Sequence, residues 1–227
     1  RDKHVTGVQT CALPIFKTML RRTSFAVSTD ENRYVLNGLY LSFKENKLTM
    51  VATDGRRLAL AEEEVELPGE SPMELIVPTK AIQELSRQLG EEGNVEIQIT
   101  ENQVSFGLEE KQGTGSLIVS KLVEGAYPNY KQVIPAESKY RVTLDKEELF
   151  HALRRAEIMT SEKANSVKLT FSENNLTFTA NSPEVGESRE TMAIKYGGEE
   201  TSIAFNPEFF IEDRKSTRLN SSHVLIS

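Results

Sequence analysis

The chain has one cysteine in 227 residues, three histidines, and no run of apolar residues approaching the roughly 20 that cross a membrane. One thiol supports neither an internal disulfide framework nor a cysteine-rich metal site. The expectation is a soluble chain in a reducing, cytoplasmic compartment, with no metal and no cofactor. Other chemistry is short of parts as well. Glu62-Glu63-Glu64 lies on an expected strand, where neighbours point to opposite faces, so it reads as a solvated acidic edge rather than a metal site. Asp54-Gly55 lacks the further acids of a calcium loop. Lys111-Gln112-Gly113-Thr114-Gly115 is too short for a phosphate loop and reads as a hairpin connection. No convergent set of acid, base and nucleophile is present, so no catalytic residue is named.

What the chain does have is repetition. Leu41 to Met50 passes through Glu45-Asn46, Ile97 to Phe106 through Glu101-Asn102, and Leu169 to Phe178 through Glu173-Asn174. Each copy alternates apolar and polar residues on both sides of the Glu-Asn pair, the pattern of two half-buried strands joined by a tight turn. A longer echo relates Leu20-Arg21-Arg22 to Leu153-Arg154-Arg155 at an offset of 133 residues. The larger unit is therefore a domain containing two half-units. Residues 1–15 and 213–227 fit neither repeat, and both resemble peptides translated from sequencing-adapter read-through. They are set aside as non-native tails, and Cys11, His4 and His223 go with them.

Residues 16–27 place Phe16, Met19, Leu20, Thr23 and Val27 on one helical face, with Lys17 and Arg21 outward. Strands are expected at 35–44, 47–53, 57–66 and 73–77 as an antiparallel meander, with turns at Glu-Asn, Asp54-Gly55 and Pro68-Gly69. A second helix from Thr79 to about residue 89 buries Ala81, Ile82, Leu85 and Leu89 and exposes Lys80, Gln83 and Arg87. Strands at 95–100, 103–109 and 116–122 follow. A proline-rich link over 127–138 carries the domain boundary, placed between 136 and 137, and a strand restarts at 140–144. Asp145 with Glu148 resembles a capping box, opening a helix that buries Leu149, Ala152, Leu153 and Ala156. Strands at 167–172, 176–180, 188–196 and 201–205 repeat the first set, and Asn206-Pro207 leads into a further helix. The fold class is α+β, with helices covering antiparallel sheet.

Charge is segregated. The net charge is −7, or −10 once the terminal segments with their net +3 are removed. Yet Lys17, Arg21, Arg22, Lys80, Arg87, Arg154 and Arg155 sit on the outward sides of three successive helices. Taken singly these are solvated helix faces. Repeated on packed half-units they form a positive surface on an acidic protein, which attracts a phosphate backbone without reading bases. His151, on the same helix as Arg154, reads as a solvated or DNA-facing side chain.

Ala52-Thr53-Asp54-Gly55-Arg56-Arg57-Leu58-Ala59 resembles the bacterial DNA polymerase III beta subunit family, the replicative sliding clamps. Arg33 to Gly38, Ile76 to Lys80 and Ser120 to Tyr130 carry the same resemblance, which spans about residues 16–210. It implies the DNA clamp fold: helices on the DNA side, sheets outside, in a head-to-tail homodimeric ring of three similar domains per chain. Residues 16–136 would be the middle domain without its first strand, and residues 137–212 part of the C-terminal domain. The implied role is a non-catalytic processivity factor that encircles duplex DNA. It would tether the DNA polymerase III catalytic subunit, the clamp loader and repair proteins through short peptide motifs, in a nucleoid-associated, cytoplasmic setting. This chain itself would not close a ring. The alternatives are a polymerase or nuclease enzyme, and a repeat module that binds only proteins.

Two sites follow from the resemblance. The partner-peptide pocket falls on Leu36, Thr53, Gly55, Arg56, Arg57, Leu58, Pro128 and Val133. Apolar members would line a cleft and the arginines would hold polar parts of a peptide. Leu36 and Leu58 equally suit core packing. The DNA-facing set is Arg33 and Tyr34 on a loop and Lys80 at a helix start, joined by the helix-face cations Lys17, Arg21, Arg87 and Arg154. Val35 stands where relatives carry a second aromatic. Tyr34 therefore reads either as a DNA-facing group or as a strand-edge packing residue.

Overall fold

The computed structural model describes residues 5–66, 72–109, 115–135, 140–160, 165–182, 186–211 and 223–226. Two compact units divide the chain, residues 1–131 and 132–227, five residues before the expected boundary. The connections at Pro68-Gly69, at 110–114 and at 136–139 lie outside the described residues.

The first unit runs β1 (Val5–Ala12), α1 (Leu13–Thr23), β2 (Gly38–Lys44), β3 (Lys47–Thr53), β4 (Leu58–Glu64), β5 (Met73–Pro78), α2 (Thr79–Gln88), β6 (Asn94–Thr100), β7 (Gln103–Glu109) and β8 (Ser116–Lys121). Its strands make two antiparallel sheets ordered β4-β3-β2-β5 and β1-β6-β7-β8. The helical face read from the sequence is the buried one: Phe16, Met19, Leu20 and Thr23 are inaccessible. They meet Leu41, Phe43, Leu48 and Met50 from one sheet, Ile97, Val104 and Phe106 from the other, and Ile82 and Leu85 of α2 in one core. Each fully buried large side chain in such a core is worth roughly 1.5–3 kcal/mol of apolar transfer.

Three expectations need correction here. Residues 5–15, set aside with the N-terminal segment, are part of the fold: β1 pairs with β6 from Val5↔Thr100 to Ala12↔Asn94, occupying the position expected to be vacant. Cys11 and Leu13 are buried with the core, and α1 begins at Leu13 because Leu13 continues the apolar face of Phe16. The four strands β2 to β5 are not a simple meander, since β5 returns to pair with β2. Every β2 residue up to Phe43 is buried, which demands neighbours on both sides, whereas β4 alternates exposed and buried positions as an edge strand does. Residues 31–36 form 3-10 turns joined at a kink at Arg33, and Val35-Leu36, expected to open β2, belong to the second of them. Asp30 Oδ1 accepts the Asn32 N–H at 3.0 Å, and the Leu36 carbonyl is taken by the Ser28 N–H, so the segment has no free ladder to join.

The second unit runs β9 (Val142–Asp145), α3 (Lys146–Ile158), β10 (Val167–Ser172), β11 (Asn175–Ser182), β12 (Gly186–Ala193), β13 (Thr201–Phe205) and β14 (His223–Ile226). Its sheet order, β12-β11-β10-β13, repeats β4-β3-β2-β5 of the first unit. The smaller β14-β9 ladder brings in residues 223–226, from the second segment set aside. Asp145 caps α3, accepting the N–H groups of Glu147 and Glu148 at 3.0 and 2.9 Å. Leu149, Ala152, Leu153 and Ala156 then pack on Leu169, Leu176 and Phe178. A turn of helix at 208–211 follows Asn206-Pro207 as expected.

The Glu-Asn turns share a position but not a conformation. Glu45 and Asn46 both have φ of 55°, the left-handed pair that matches strand twist in a two-residue hairpin. At the third copy only Asn174 has positive φ, and at Glu101-Asn102 neither residue does.

Candidate functional site

The outer face of the β4-β3-β2-β5 sheet carries Tyr40, with Val51 and Ile76 directly across from it. All three are buried, covered by a strap at residues 122–130 that contributes Val123, Tyr127 and Tyr130. Tyr127 stacks on Tyr40 at 5.0 Å between ring centroids, and Val123 N–H donates to the Ile76 carbonyl at 2.9 Å. The same three register positions in the second unit are Lys168, Thr179 and Ala204, which stay exposed or half-exposed. A polar face needs no cover, so the apolar trio explains why a strap lies across the first unit's sheet. Burial pushes the phenols of Tyr40 and Tyr127 up to about 12, and that of Tyr130 upward.

At one end of this face the β3–β4 turn gathers Thr53, Gly55, Arg56, Arg57 and Leu58. Asp54 Oδ1 accepts the N–H groups of Arg56 and Arg57 at 2.9 and 3.0 Å. Thr53 Oγ1 accepts the Gly55 N–H at 3.0 Å and donates to the Arg57 carbonyl at 2.6 Å. The carboxylate that could have suggested a calcium ligand is thus committed to its own turn. Leu58 packs half-buried against the Tyr40 cluster, and Leu36 is half-buried at the end of the second 3-10 turn. Arg56 is exposed. Arg57 is turned inward: Nε meets Asp54 Oδ2 at 3.1 Å, Nη2 donates to the Phe25 carbonyl at 3.1 Å, and the guanidinium lies 5.5 Å from the Phe25 ring. It fastens the β3–β4 turn to the 3-10 turn at Ser24–Ala26 that follows α1. Pro128 is exposed on the strap. Val133 belongs to the second unit, where it is 68 % exposed.

A groove of about 990 Å³ lies beside the strap, lined by Tyr40, Ser42, Glu74, Ile76, Tyr127 and Tyr130 among others. Of the eight expected pocket residues only Pro128 lines it. Tyr127-Pro128-Asn129-Tyr130 held the missed signal, two aromatics inside a segment read as a linker.

The expected DNA-facing residues divide by partner. Arg33 sits at the kink between two 3-10 turns, with non-helical backbone, and Tyr34 follows it, 60 % exposed. Arg33 pairs with Asp30 at 3.6 Å and donates from Nη1 to the Asp54 carbonyl at 3.3 Å. α1 and α2 pack side by side. On their outer sides Arg21 and Lys80 are exposed, Lys17 pairs with Glu91 at 2.6 Å, and Arg87 pairs with Glu84 at 3.4 Å. Arg22 reaches Glu63 at 3.6 Å while Glu62 meets Lys47 at 3.7 Å, so the acidic run does split between two faces. In the second unit Arg154 is exposed over the Phe150 ring, and Arg155 is held by Glu190 through a bidentate pair. His151 is exposed beside Phe150.

Residues 12–129 match the family model for the DNA polymerase III beta subunit, central domain, and residues 131–224 that for its C-terminal domain. Both matches reach into the terminal segments set aside from the sequence. The beta sliding clamp of Chlamydia pneumoniae is 39 % identical over 202 residues, covering 89 % of this chain and 54 % of that protein. That of Pseudomonas aeruginosa is 34 % identical over 198 residues, covering 86 % and 52 %. A crystal structure of the P. aeruginosa DNA polymerase III subunit beta superimposes with a TM-score of 0.91 at 30 % identity, covering 99 % of this chain and 60 % of that one. A sliding clamp from the same organism bound to griselimycin gives the same TM-score and identity, covering 99 % and 59 %. The chain therefore spans about half the length of the curated relatives it matches.

Proposed function

This chain belongs to the DNA polymerase III beta subunit family, and we propose that it supplies the central and part of the C-terminal domain of a sliding clamp. In that role the outer sides of α1 and α2 face duplex DNA, and the β3–β4 turn with the strap receives peptide segments of client proteins. The observation that carries this reading is the placement of Lys17, Arg21, Lys80 and Arg87 on one pair of packed helices in a chain of net charge −7. Such a surface holds phosphates by charge alone, and sequence-blind contacts let the protein move along the duplex. A ring closed by a second chain stays on DNA for a topological reason, however weak each contact is. The clients are the polymerase III catalytic subunit, the clamp loader and repair proteins, and the chain acts without catalysis of its own.

Fluorescence anisotropy with a labelled 30-bp duplex tests the DNA face. Binding is expected to be weak, indifferent to sequence and steeply salt-dependent, and Lys80→Gln with Arg87→Gln is expected to flatten the slope by about 0.9 per lost contact. A slope unchanged in the double variant overturns this face. The rival reading, an enzyme, is tested by nucleotide incorporation and exonuclease assays with magnesium, where sustained turnover would displace the clamp reading.

A further inference from the structure

Lys17 and Arg21 are one helical turn apart on α1, so their side chains emerge on the same side, the geometry of a two-pronged seat for one oxyanion. Its Lys17 prong is taken from within the same unit. Glu91 follows α2 in the loop before β6 and places Oε1 2.6 Å from Lys17 Nζ. The loop is anchored to α1 a second time, where the Leu13 N–H donates to the Gly93 carbonyl at 2.9 Å. Lys17 is 21 % exposed and Glu91 86 %, so the cation's stem is packed down while the carboxylate sits on the outside, open to exchange.

We infer that Glu91 is a built-in stand-in for a phosphate: its carboxylate occupies the Lys17 prong of the Lys17–Arg21 seat when no DNA is bound, and a duplex phosphodiester displaces it. The inference rests on the assignment of α1 and α2 to the DNA side. The Glu91 carboxyl is held below the usual carboxylate range, first by the hydrogen bond and charge of Lys17 and further by Arg21, so both cations act on it. Arg87 with Glu84 repeats the pattern more loosely on α2. An acid in this place does two things. It keeps Lys17 aimed outward from the helix, and it makes each phosphate compete with a resident anion. Net attraction per contact is lowered, which suits a surface that must hold a duplex and yet release it at every step.

The test is duplex binding by this chain, read by anisotropy from about 50 to 200 mM salt, for wild type, Glu91→Gln, Lys17→Gln, the double variant and Glu187→Gln. The last removes the same charge from β12 in the other unit and controls for net charge. Glu91→Gln is expected to tighten binding about two- to fivefold, the range of one exposed ion pair, and to steepen the salt slope by about 0.9, one contact. The gain is expected to shrink in the Lys17→Gln background, as coupling through a shared partner requires. Equal effects of Glu91→Gln and Glu187→Gln, or no effect of Glu91→Gln, overturn the inference while leaving the DNA face intact. If wild type shows no salt-dependent binding and Lys80→Gln changes nothing, the DNA-side assignment itself falls and this inference with it.

Discussion

Gly55 shows how much one residue carries. Its φ is +84°, and a Cβ there would lie 2.5 Å from Arg33 Nη1, the atom that donates to the neighbouring Asp54 carbonyl. Glycine both permits the turn and makes room for the guanidinium. Gly55→Ala is expected to destabilise the protein by about 1–2 kcal/mol from the left-handed backbone alone, with a further loss of the Arg33 contact. A urea titration checks this, and an unchanged midpoint would mean the turn can relax. Tyr40 and Tyr127 make a second residue-scale case. Burial raises both from 10.0 to about 12, so in the folded chain they stay neutral while the unfolded phenols ionise. Their contribution to stability is complete below pH 10 and is lost as pH rises from about 10 to 12. Phenolate absorbance should resolve three late-titrating groups among the six tyrosines, Tyr40, Tyr127 and Tyr130; the absence of any late-titrating group would show that the strap does not cover them.

At the scale of elements, α3 begins at a single cap. Asp145 satisfies two helix N–H groups that have no partner within the helix, and Asp145→Ala is expected to cost about 1 kcal/mol. Hydrogen exchange should show the loss confined to the first turn of α3, and uniform loss of protection across β10 and β11 would contradict a purely local cap. The strap is the element whose need is visible in side chains: Tyr40, Val51 and Ile76 require cover, and Lys168, Thr179 and Ala204 at the same register do not. β8 is an edge strand with Leu117 68 % and Val119 57 % exposed. Unpaired edges with apolar side chains invite association with other strands. Val119→Lys is expected to reduce concentration-dependent light scattering without moving the unfolding midpoint, and no change in scattering would place the adhesive surface elsewhere.

For the molecule as a whole, the proposed ring needs more chain than is here, since the curated relatives are nearly twice as long as the matched part. The chain is expected to sediment as a monomer and to be lost from circular and linear DNA alike. A discrete dimer retained on closed circles and shed from linear ones would show that these two units suffice for closure.

The repeat, the α+β class, the buried faces of all three helices and the basic outer sides were legible in the sequence, because period and charge are local properties that each helix or strand displays by itself. The Asp145 cap was legible for the same reason. Tertiary structure decided what depends on neighbours distant in the chain. It turned Arg57 inward onto Phe25, sent β5 back to β2, brought residues 5–12 into the sheet beside β6, and set Glu91 against Lys17. Spacing tells which side of an element a residue occupies, but which group waits there is settled only when the chain folds back on itself.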